Sequence, residues 1–373
     1  MERVLLKERN YGIDLLRLVL MFYVIILHVL GQGGAVGNPS NLDAKYYWLV
    51  MFLETIAYCA VDGFALMSGY VGYKEENNRL RLSHYLNIWL QVVFYGLVIT
   101  AVFCFILPQE IGLTKFIKAF FPVTLVSYWY FTAYTALFFV APLINVAVQK
   151  TNNATLKKSA VFLLVLFSAY ASAARMFGDT FNLHYGYSFV WIALMYYIGA
   201  VMKKTGLFSG ITAVKGIVAA LILAILRELW LIHGWDVVPP FLHKFNVRYY
   251  LSYNSPAIVA IAIIHVVLFA KLRLPSKMVK IVKFAAPGAF AVYIINVQYY
   301  VWNYVMKGNF AFLAKSPLYE ALLVIIGFAL LFVAVSVTAD HFRQVLFRAV
   351  RLNKLTVFIE NRVNLILDRL VRD

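Results

Sequence analysis

The chain has 373 residues, of which 14% are charged and 63% belong to the hydrophobic set AVILMFWYC. A soluble globular chain carries about 25% charged residues, so this composition excludes a soluble enzyme, including one with a single membrane anchor. The mean hydropathy of +0.77 is an average over the whole chain, and several apolar runs reach the roughly 20 residues that a membrane-spanning helix needs. We therefore expect an all-α, multi-pass membrane protein.

Apolar segments in chain order predict about ten transmembrane helices. They are 13–31, 47–70, 84–106, 127–148, 159–176, 187–202, 212–233, 249–270, 284–305 and 318–340. With a cytoplasmic N-terminus, the inner connecting segments hold 23 Lys and Arg residues and the outer ones hold 8. This bias follows the positive-inside rule and predicts that both termini are cytoplasmic. The net charge of +17 then reflects topology rather than a nucleic-acid partner.

Residues 1–340 are predicted to form one transmembrane domain, and residues 341–373 a basic, amphipathic cytoplasmic tail. Apolar residues recur through the tail at helical spacing, as in Phe342, Leu346 and Val350, which suits a helix lying on the anionic inner leaflet. A site for a cytoplasmic partner is the alternative. The two cysteines lie inside apolar runs, so neither a disulfide framework nor a cysteine metal site is indicated.

The first predicted helix carries three ionisable residues, and a charge in the hydrocarbon region is costly unless it faces a cavity or a partner. Asp14 and Arg17 are three residues apart, so they share a face and can form an ion pair. His28 follows Arg17 by 11 residues, which returns it to nearly the same face. This stripe favours a cavity that receives an anion at one end and performs proton chemistry deeper in the membrane. A packing histidine is the alternative.

Other ionisable residues in apolar segments are less specific. Glu54 matches His28 in depth and Asp62 matches Arg17, but depth alone does not establish either pairing. Asp340, His84 and Lys215 lie near predicted helix ends, where snorkelling to the interface is sufficient to explain a polar side chain.

Several short motifs resemble the acyltransferase 3 family of bacterial integral-membrane acyltransferases, and they occur in the expected order over roughly residues 9–300. The motifs are Arg9 to Arg17 (RNYGIDLLR) followed by His28, Asp62 to Tyr70 (DGFALMSGY), Tyr128 to Phe131 (YWYF), Ala141 to Asn145 (APLIN), Tyr196 to Ala200 (YYIGA), and Tyr253 to Pro256 (YNSP). Each motif is weak by itself, and the ordered set is strong.

The resemblance implies transfer of an acyl group, usually acetyl, from cytoplasmic acyl-CoA to a hydroxyl of an exopolysaccharide, lipid-linked glycan or peptidoglycan. It also implies that His28 is essential and that Arg17 belongs to the donor path. The candidate catalytic residues are His28, Arg17 and Asp14. Candidate acyl-CoA contacts are Arg17, Ser68, Tyr70, Arg79 and Arg81. Candidate acceptor contacts are Glu54, Asp62, Trp129, Tyr130 and Asn296. Interfacial anchoring is the alternative for Trp129 and Tyr130.

The chain departs from the family pattern at two places. Related sequences often read Tyr-Leu-Ile-His in a late helix, where this chain has Asn296 in place of the histidine, and an amide cannot shuttle a proton. Relatives often carry two arginines three apart after the second-helix motif, whereas here the sequence is Arg79-Leu80-Arg81, which the positive-inside bias also explains.

We therefore predict a metal-free acyltransferase of the class that transfers groups other than aminoacyl groups, located in the cell membrane. His28 acts either as the base that deprotonates the acceptor hydroxyl or as a covalent acyl carrier. The predicted partners are acyl-CoA, an envelope carbohydrate and the lipid bilayer, with a second copy of the chain or a glycan-assembly protein left open. A proton-coupled transporter of small solutes such as amino acids and a scaffold subunit of a polysaccharide export assembly are the alternatives.

Overall fold

The computed structural model describes residues 9–37, 43–76, 80–108, 112–237 and 252–371. It is 81% helix, and the described residues contain no strand. The prediction of an all-α protein is confirmed. The α-helices are α1 (Tyr11–Leu30), α2 (Ala44–Tyr58), α3 (Ala60–Gly72), α4 (Leu82–Ile106), α5 (Leu113–Ala119), α6 (Trp129–Lys150), α7 (Asn153–Leu164), α8 (Ala171–Ala174), α9 (Phe189–Thr205), α10 (Ala213–Val237), α11 (Pro256–Lys271), α12 (Ser276–Ala285), α13 (Ala289–Val297), α14 (Leu318–Ala349) and α15 (Leu352–Leu370).

Seven helical stretches within the described residues are long and apolar enough to cross a membrane. They are α1, α2 with α3, α4, α6, the stretch from α7 through α8, the stretch from α12 through α13, and α14. The shorter helix α11 is also apolar. Each of the ten predicted segments contains helix, but the number of stretches that meet both criteria is seven. The chain is a multi-pass membrane protein.

Helix α1 lies at the centre of the bundle, in contact with α2, α3, α11, α13 and α14. Its first turn is fixed at two points: the Asn10 side chain accepts a hydrogen bond from the backbone N–H of Ile13 at 3.1 Å and donates one to the carbonyl of Ala270 at 2.8 Å. The N-cap satisfies one of the free N–H groups at the start of the helix. The polar stripe of α1 is therefore held in a defined orientation inside the bundle.

Helices α3 and α9 approach each other through two glycines. A Cβ atom on Gly69 would lie 1.9 Å from the carbonyl oxygen of Tyr196, and one on Gly199 would lie 2.0 Å from that of Leu66. Small residues at such a contact let helix backbones come close in a membrane, where dispersion rather than the hydrophobic effect holds helices together. Gly69 and Gly199 belong to two of the sequence motifs, so this packing gives those motifs a structural reason.

Asp340 is fully buried, so its expected snorkelling to the interface is wrong. Its two carboxylate oxygens accept hydrogen bonds from Gln91 at 2.9 Å, Tyr95 at 3.0 Å, Arg343 at 2.6 and 3.0 Å, and Gln344 at 2.8 Å. Burial of a carboxylate is tolerated when it is paired and hydrogen-bonded in this way. The network joins α14 to α4.

Replacing Asp340 with alanine should destabilise the protein strongly, because the Arg343 guanidinium would remain buried without its counter-charge. Loss of one partner of a buried pair costs about 3–5 kcal/mol. Thermal unfolding of the purified protein in detergent checks this, with the exposed Asp368→Ala in α15 as a control that should unfold like the wild type. An unchanged unfolding temperature for Asp340→Ala would contradict the role of the network.

The last transmembrane helix continues beyond the predicted domain boundary. Helix α14 ends at Ala349, and Arg351 adopts a left-handed backbone conformation (φ 54°) that turns the chain into α15. Helix α15 returns to the start of α4, where the backbone N–H of Ser83 donates to Glu360 at 3.4 Å and Thr356 donates to Asn87 at 3.4 Å. The amphipathic part of the tail is thus packed beside α4.

Candidate active site

The polar stripe of α1 lines a cavity of about 700 Å³. Arg17, Met21, Val24, Leu27 and His28 face it on successive turns, so the predicted common face of Arg17 and His28 is confirmed. The rest of the wall comes from α3, α4, α6, α9 and the segment around α13, mostly with apolar and aromatic side chains. We call this space the arginine cavity.

Cations gather at the end of the arginine cavity that lies away from His28. Arg17, Lys74 and Arg81 line it there, and His84 lies on the adjoining turn of α4. Arg79, the other predicted acyl-CoA contact in this segment, lies outside the described residues. Clustered guanidinium and ammonium groups favour a phosphorylated ligand at this end.

Asp14 pairs with two arginines, Arg9 and Arg17, at the start of α1. Its carboxylate oxygens lie 3.6 Å from an Arg17 guanidinium nitrogen and 2.5 Å from Arg9 Nε. The hydrogen bond to Asp14 raises the pKa of Arg9 above its usual value, so that guanidinium stays charged. The predicted ion pair of Asp14 with Arg17 is formed, and a third of the Arg17 side chain remains exposed (33%) and available to a ligand.

A second cavity, of about 780 Å³, adjoins the first and shares part of its lining. It is lined along α1 and its C-terminal extension by Leu27, His28, Gly31 and Gln32, and along α4 by Gly96 and Thr100. Its charged lining residues among those described are Glu54 on α2 and Lys115 and Lys118 on α5. We call this space the lysine cavity.

His28 is one of the residues that line both cavities. The others are Leu27, Trp129, Tyr253 and Tyr293. The two spaces therefore approach each other around a single imidazole. Trp129 faces the cavities rather than the lipid, and its neighbour Tyr130 lines the arginine cavity, so both are placed where a substrate can contact them.

Asn296 orients the His28 ring. The imidazole Nδ1 donates a hydrogen bond to Asn296 Oδ1, because a carbonyl oxygen only accepts. This leaves Nε2 with its lone pair. Asn296 is fully buried behind the ring, and Trp302 packs edge-on against His28 with ring centroids 4.8 Å apart. The imidazole is thus fixed in tautomer and in direction, which is the condition for a base or nucleophile acting at one nitrogen.

The structure does not form the two depth-matched pairs considered from the sequence. Asp62 is fully buried and its Oδ1 accepts a hydrogen bond from Trp191 Nε1 at 2.8 Å, whereas Arg17 pairs with Asp14. Glu54 lines the lysine cavity together with His28, but the partner that orients the ring is Asn296. The predicted depth of a residue in the membrane could not identify these partners, because depth carries no information on which faces of two helices meet.

The predicted acyl-CoA contacts Ser68 and Tyr70 lie in different surroundings. Ser68 lines the arginine cavity, whereas the Tyr70 ring lies 4.7 Å from the ammonium group of Lys203. Sequence reasoning missed Tyr293 and Trp302. Tyr293 precedes Asn296 by three residues and so shares its helix face, a spacing that could have indicated it.

Within the described residues, no group of three or more His, Cys, Asp or Glu could hold a metal ion.

Comparison with known proteins identifies the family. A family model for the acyltransferase 3 family, described as an acyltransferase domain, matches residues 10–340, which is most of the chain. A comparison with curated proteins finds no match, and neither does one with solved structures. The match favours an acyl-transfer enzyme over the transporter alternative. It includes every helix that lines the two cavities, and the chain therefore belongs to the acyltransferase 3 family.

Proposed function

We propose that this membrane protein transfers an acyl group, acetyl in the simplest case, from cytoplasmic acyl-CoA to a hydroxyl of a cell-envelope carbohydrate. The observation that carries the proposal is the meeting of two cavities at His28, one with cations at its far end and one lined by aromatic residues. We place the cationic end in the cytoplasm because the Lys and Arg bias of the connecting segments favours that orientation.

The arginine cavity suits the donor. Arg17, Lys74 and Arg81 offer positive charge to the phosphates of coenzyme A at the mouth. From Arg17 to His28 is 11 residues, or about 16 Å along the helix axis, a length that an extended pantetheine arm can cover. The thioester then reaches His28 while the phosphates stay at the mouth. Ser68 also lines this cavity.

The chemistry at the junction needs one base and exclusion of water. His28 Nε2 takes the proton of the acceptor hydroxyl while the hydroxyl oxygen attacks the thioester carbonyl; the C–O bond forms, the C–S bond breaks, and the proton passes to the departing thiolate. In the covalent version, Nε2 attacks the thioester carbonyl first, so that an N–C bond forms and the C–S bond breaks to release the thiolate. The acceptor oxygen then takes the acyl group as the N–C bond breaks, and the proton of the acceptor hydroxyl passes to the thiolate. Both versions use the nitrogen that Asn296 leaves free.

Asn296 is a positioning residue in this scheme, and Asn296→Ala should lower kcat by about 10- to 100-fold. The estimate follows because a buried donor left without its acceptor costs about 1–3 kcal/mol. The KM for acyl-CoA should not change, since the cationic mouth is distant. Asn296→Asp keeps an acceptor oxygen for Nδ1 and should recover most of kcat. Equal losses in both variants, or a raised KM with normal kcat, would contradict this role.

The proposed function is tested with the purified protein in lipid nanodiscs. Radiolabelled acetyl-CoA and an envelope glycan fraction are supplied together, and both free thiol and labelled glycan are measured. We expect thiol release that requires glycan and matches the label transferred. Uptake of a solute into proteoliposomes without any thiol release would refute the acyltransferase and support transport. Arg17→Gln should raise the KM for acetyl-CoA, whereas Lys150→Gln, an exposed charge at the end of α6, should not.

A further inference from the structure

Two lysines of the lysine cavity lack a protein counter-charge in the described part of the chain. Lys115 and Lys118 are three residues apart on α5, so they share one face of that helix, and both line the cavity. The ammonium group of Lys115 lies 5.2 Å from the ring centroid of Tyr299, another lining residue, which holds it at the cavity wall. A ligand in this space therefore meets two positive charges.

The cavity's carboxylate does not cancel these charges. Glu54 is the acidic lining residue among those described, and Arg227 on α10 acts on it electrostatically. Arg227 in turn lies 2.9 Å from Glu228, which also accepts a hydrogen bond from Thr55 at 2.6 Å. The acidic groups are thus engaged with Arg227 in the α2–α10 contact, whereas both lysines face the open space.

Aromatic rings cover the part of the cavity next to His28. The rings of Trp129 and Tyr253 are nearly parallel, at 20° and 6.1 Å, and Tyr58 and Tyr187 each lie within 5 Å of Tyr253, at 4.7 and 4.8 Å. Such faces pack against the apolar C–H faces of a sugar ring while its hydroxyls remain free to react. Lys115 and Lys118 line the same cavity, so a sugar seated there shares the space with both ammonium groups.

We propose that the lysine cavity selects acceptors whose glycan carries a carboxylate or phosphate near the hydroxyl that is acylated, with Lys115 and Lys118 binding that anion. The inference rests on the proposed function and adds the chemical class of the acceptor. Charge-assisted hydrogen bonds to ammonium groups give the preference, and the aromatic wall gives the sugar its orientation. A lipid headgroup offers the same phosphate chemistry, so the experiment separates the two sources.

The test uses the envelope glycan of the host before and after chemical reduction of its carboxylates or removal of its phosphates. We expect the wild type to show a KM at least about tenfold lower for the anionic glycan, since a hydrogen bond to a charged group is worth about 1.5–3 kcal/mol. Lys115→Gln/Lys118→Gln should lose this preference by raising only the KM for the anionic glycan. The double variant Lys45→Gln/Lys307→Gln, which removes two exposed charges outside the cavity lining, should keep the preference.

Each assay is run in nanodiscs of phosphatidylcholine alone and in nanodiscs with added phosphatidylglycerol. The KM of the double lysine variant could differ from that of the wild type according to the nanodisc lipid and not according to the charge of the glycan. That result would assign the lysines to headgroup binding and overturn the inference. Equal KM values of the wild type for charged and neutral glycan would also overturn it, while leaving the acyltransferase intact. If no thiol were released with either the anionic or the neutral glycan, the proposed function itself would be refuted.

Discussion

Replacing His28 with glutamine should reduce acyl transfer by about 10²–10⁴-fold, the usual contribution of a positioned general base. Glutamine can still donate to Asn296, so the local packing changes little, but its amide can neither take a proton nor carry an acyl group at neutral pH. The rate of labelled glycan formation checks this. The KM for acetyl-CoA should stay near the wild-type value, because the cationic end of the arginine cavity is untouched.

The matched control is His265→Gln. His265 is another membrane-buried histidine, on α11, where it contacts Tyr23 at 3.3 Å and the carbonyl of Ile261 at 2.8 Å and lines neither cavity. We expect it to keep most of the activity. If His28→Gln retained normal transfer at normal folding, His28 would be a packing residue and the reaction would need another base.

Adding one methyl group at the α3–α9 contact should strongly destabilise the folded protein. In Gly199→Ala the new Cβ would lie 2.0 Å from the carbonyl oxygen of Leu66, and in Gly69→Ala it would lie 1.9 Å from that of Tyr196. Both obstructions are backbone atoms, so no rotamer change relieves them and the helices must move apart. Overpacking costs about 1–3 kcal/mol at ordinary sites, and we expect at least that here.

The yield of monodisperse protein after detergent extraction, and its unfolding temperature, measure this effect. Gly327→Ala is the matched control, because Gly327 is also inside a transmembrane helix but a Cβ atom added there would have no neighbour within 4 Å among the described residues. It should behave like the wild type or gain slightly in helix propensity. Normal yield and stability of Gly199→Ala would mean that α3 and α9 are packed less closely than described.

Residue positions that depend on the geometry of a single helix were predicted correctly from the sequence. Contacts between residues of two different helices were not. The 11-residue spacing placed Arg17 and His28 on one cavity, because helix geometry alone decides it. Asn296 lies 268 residues from its hydrogen-bond partner His28, and no periodicity relates them. Asp340 was misjudged for the same reason: its position near the predicted helix end suggested snorkelling, whereas partners on α4 bury it.

Composition correctly separated this chain from soluble proteins, but it could not fix the number of spans. The three predicted segments outside the seven stretches are 187–202, 212–233 and 249–270. Helices α9 and α11, in two of these segments, have only 17 and 16 residues, and hydropathy does not report where a helix begins or ends inside an apolar run. Aromatic residues were ambiguous as well. Tryptophan is a typical anchor at the membrane interface, whereas the structure places Trp129 in the wall of both cavities.

The shared lining of the two cavities also bears on the membrane potential of the cell. If the two cavities open on opposite sides of the membrane, the residues between them form a barrier against a proton leak. One elementary charge crossing the membrane releases about 2.3 kcal/mol per 100 mV, so even a rare open passage would dissipate the membrane potential. The bulky rings of Trp129, Tyr253 and Tyr293 around His28 then serve as an insulating plug between substrates. Replacing these rings with small side chains would harm growth through energy loss, independently of the acceptor that the enzyme acylates.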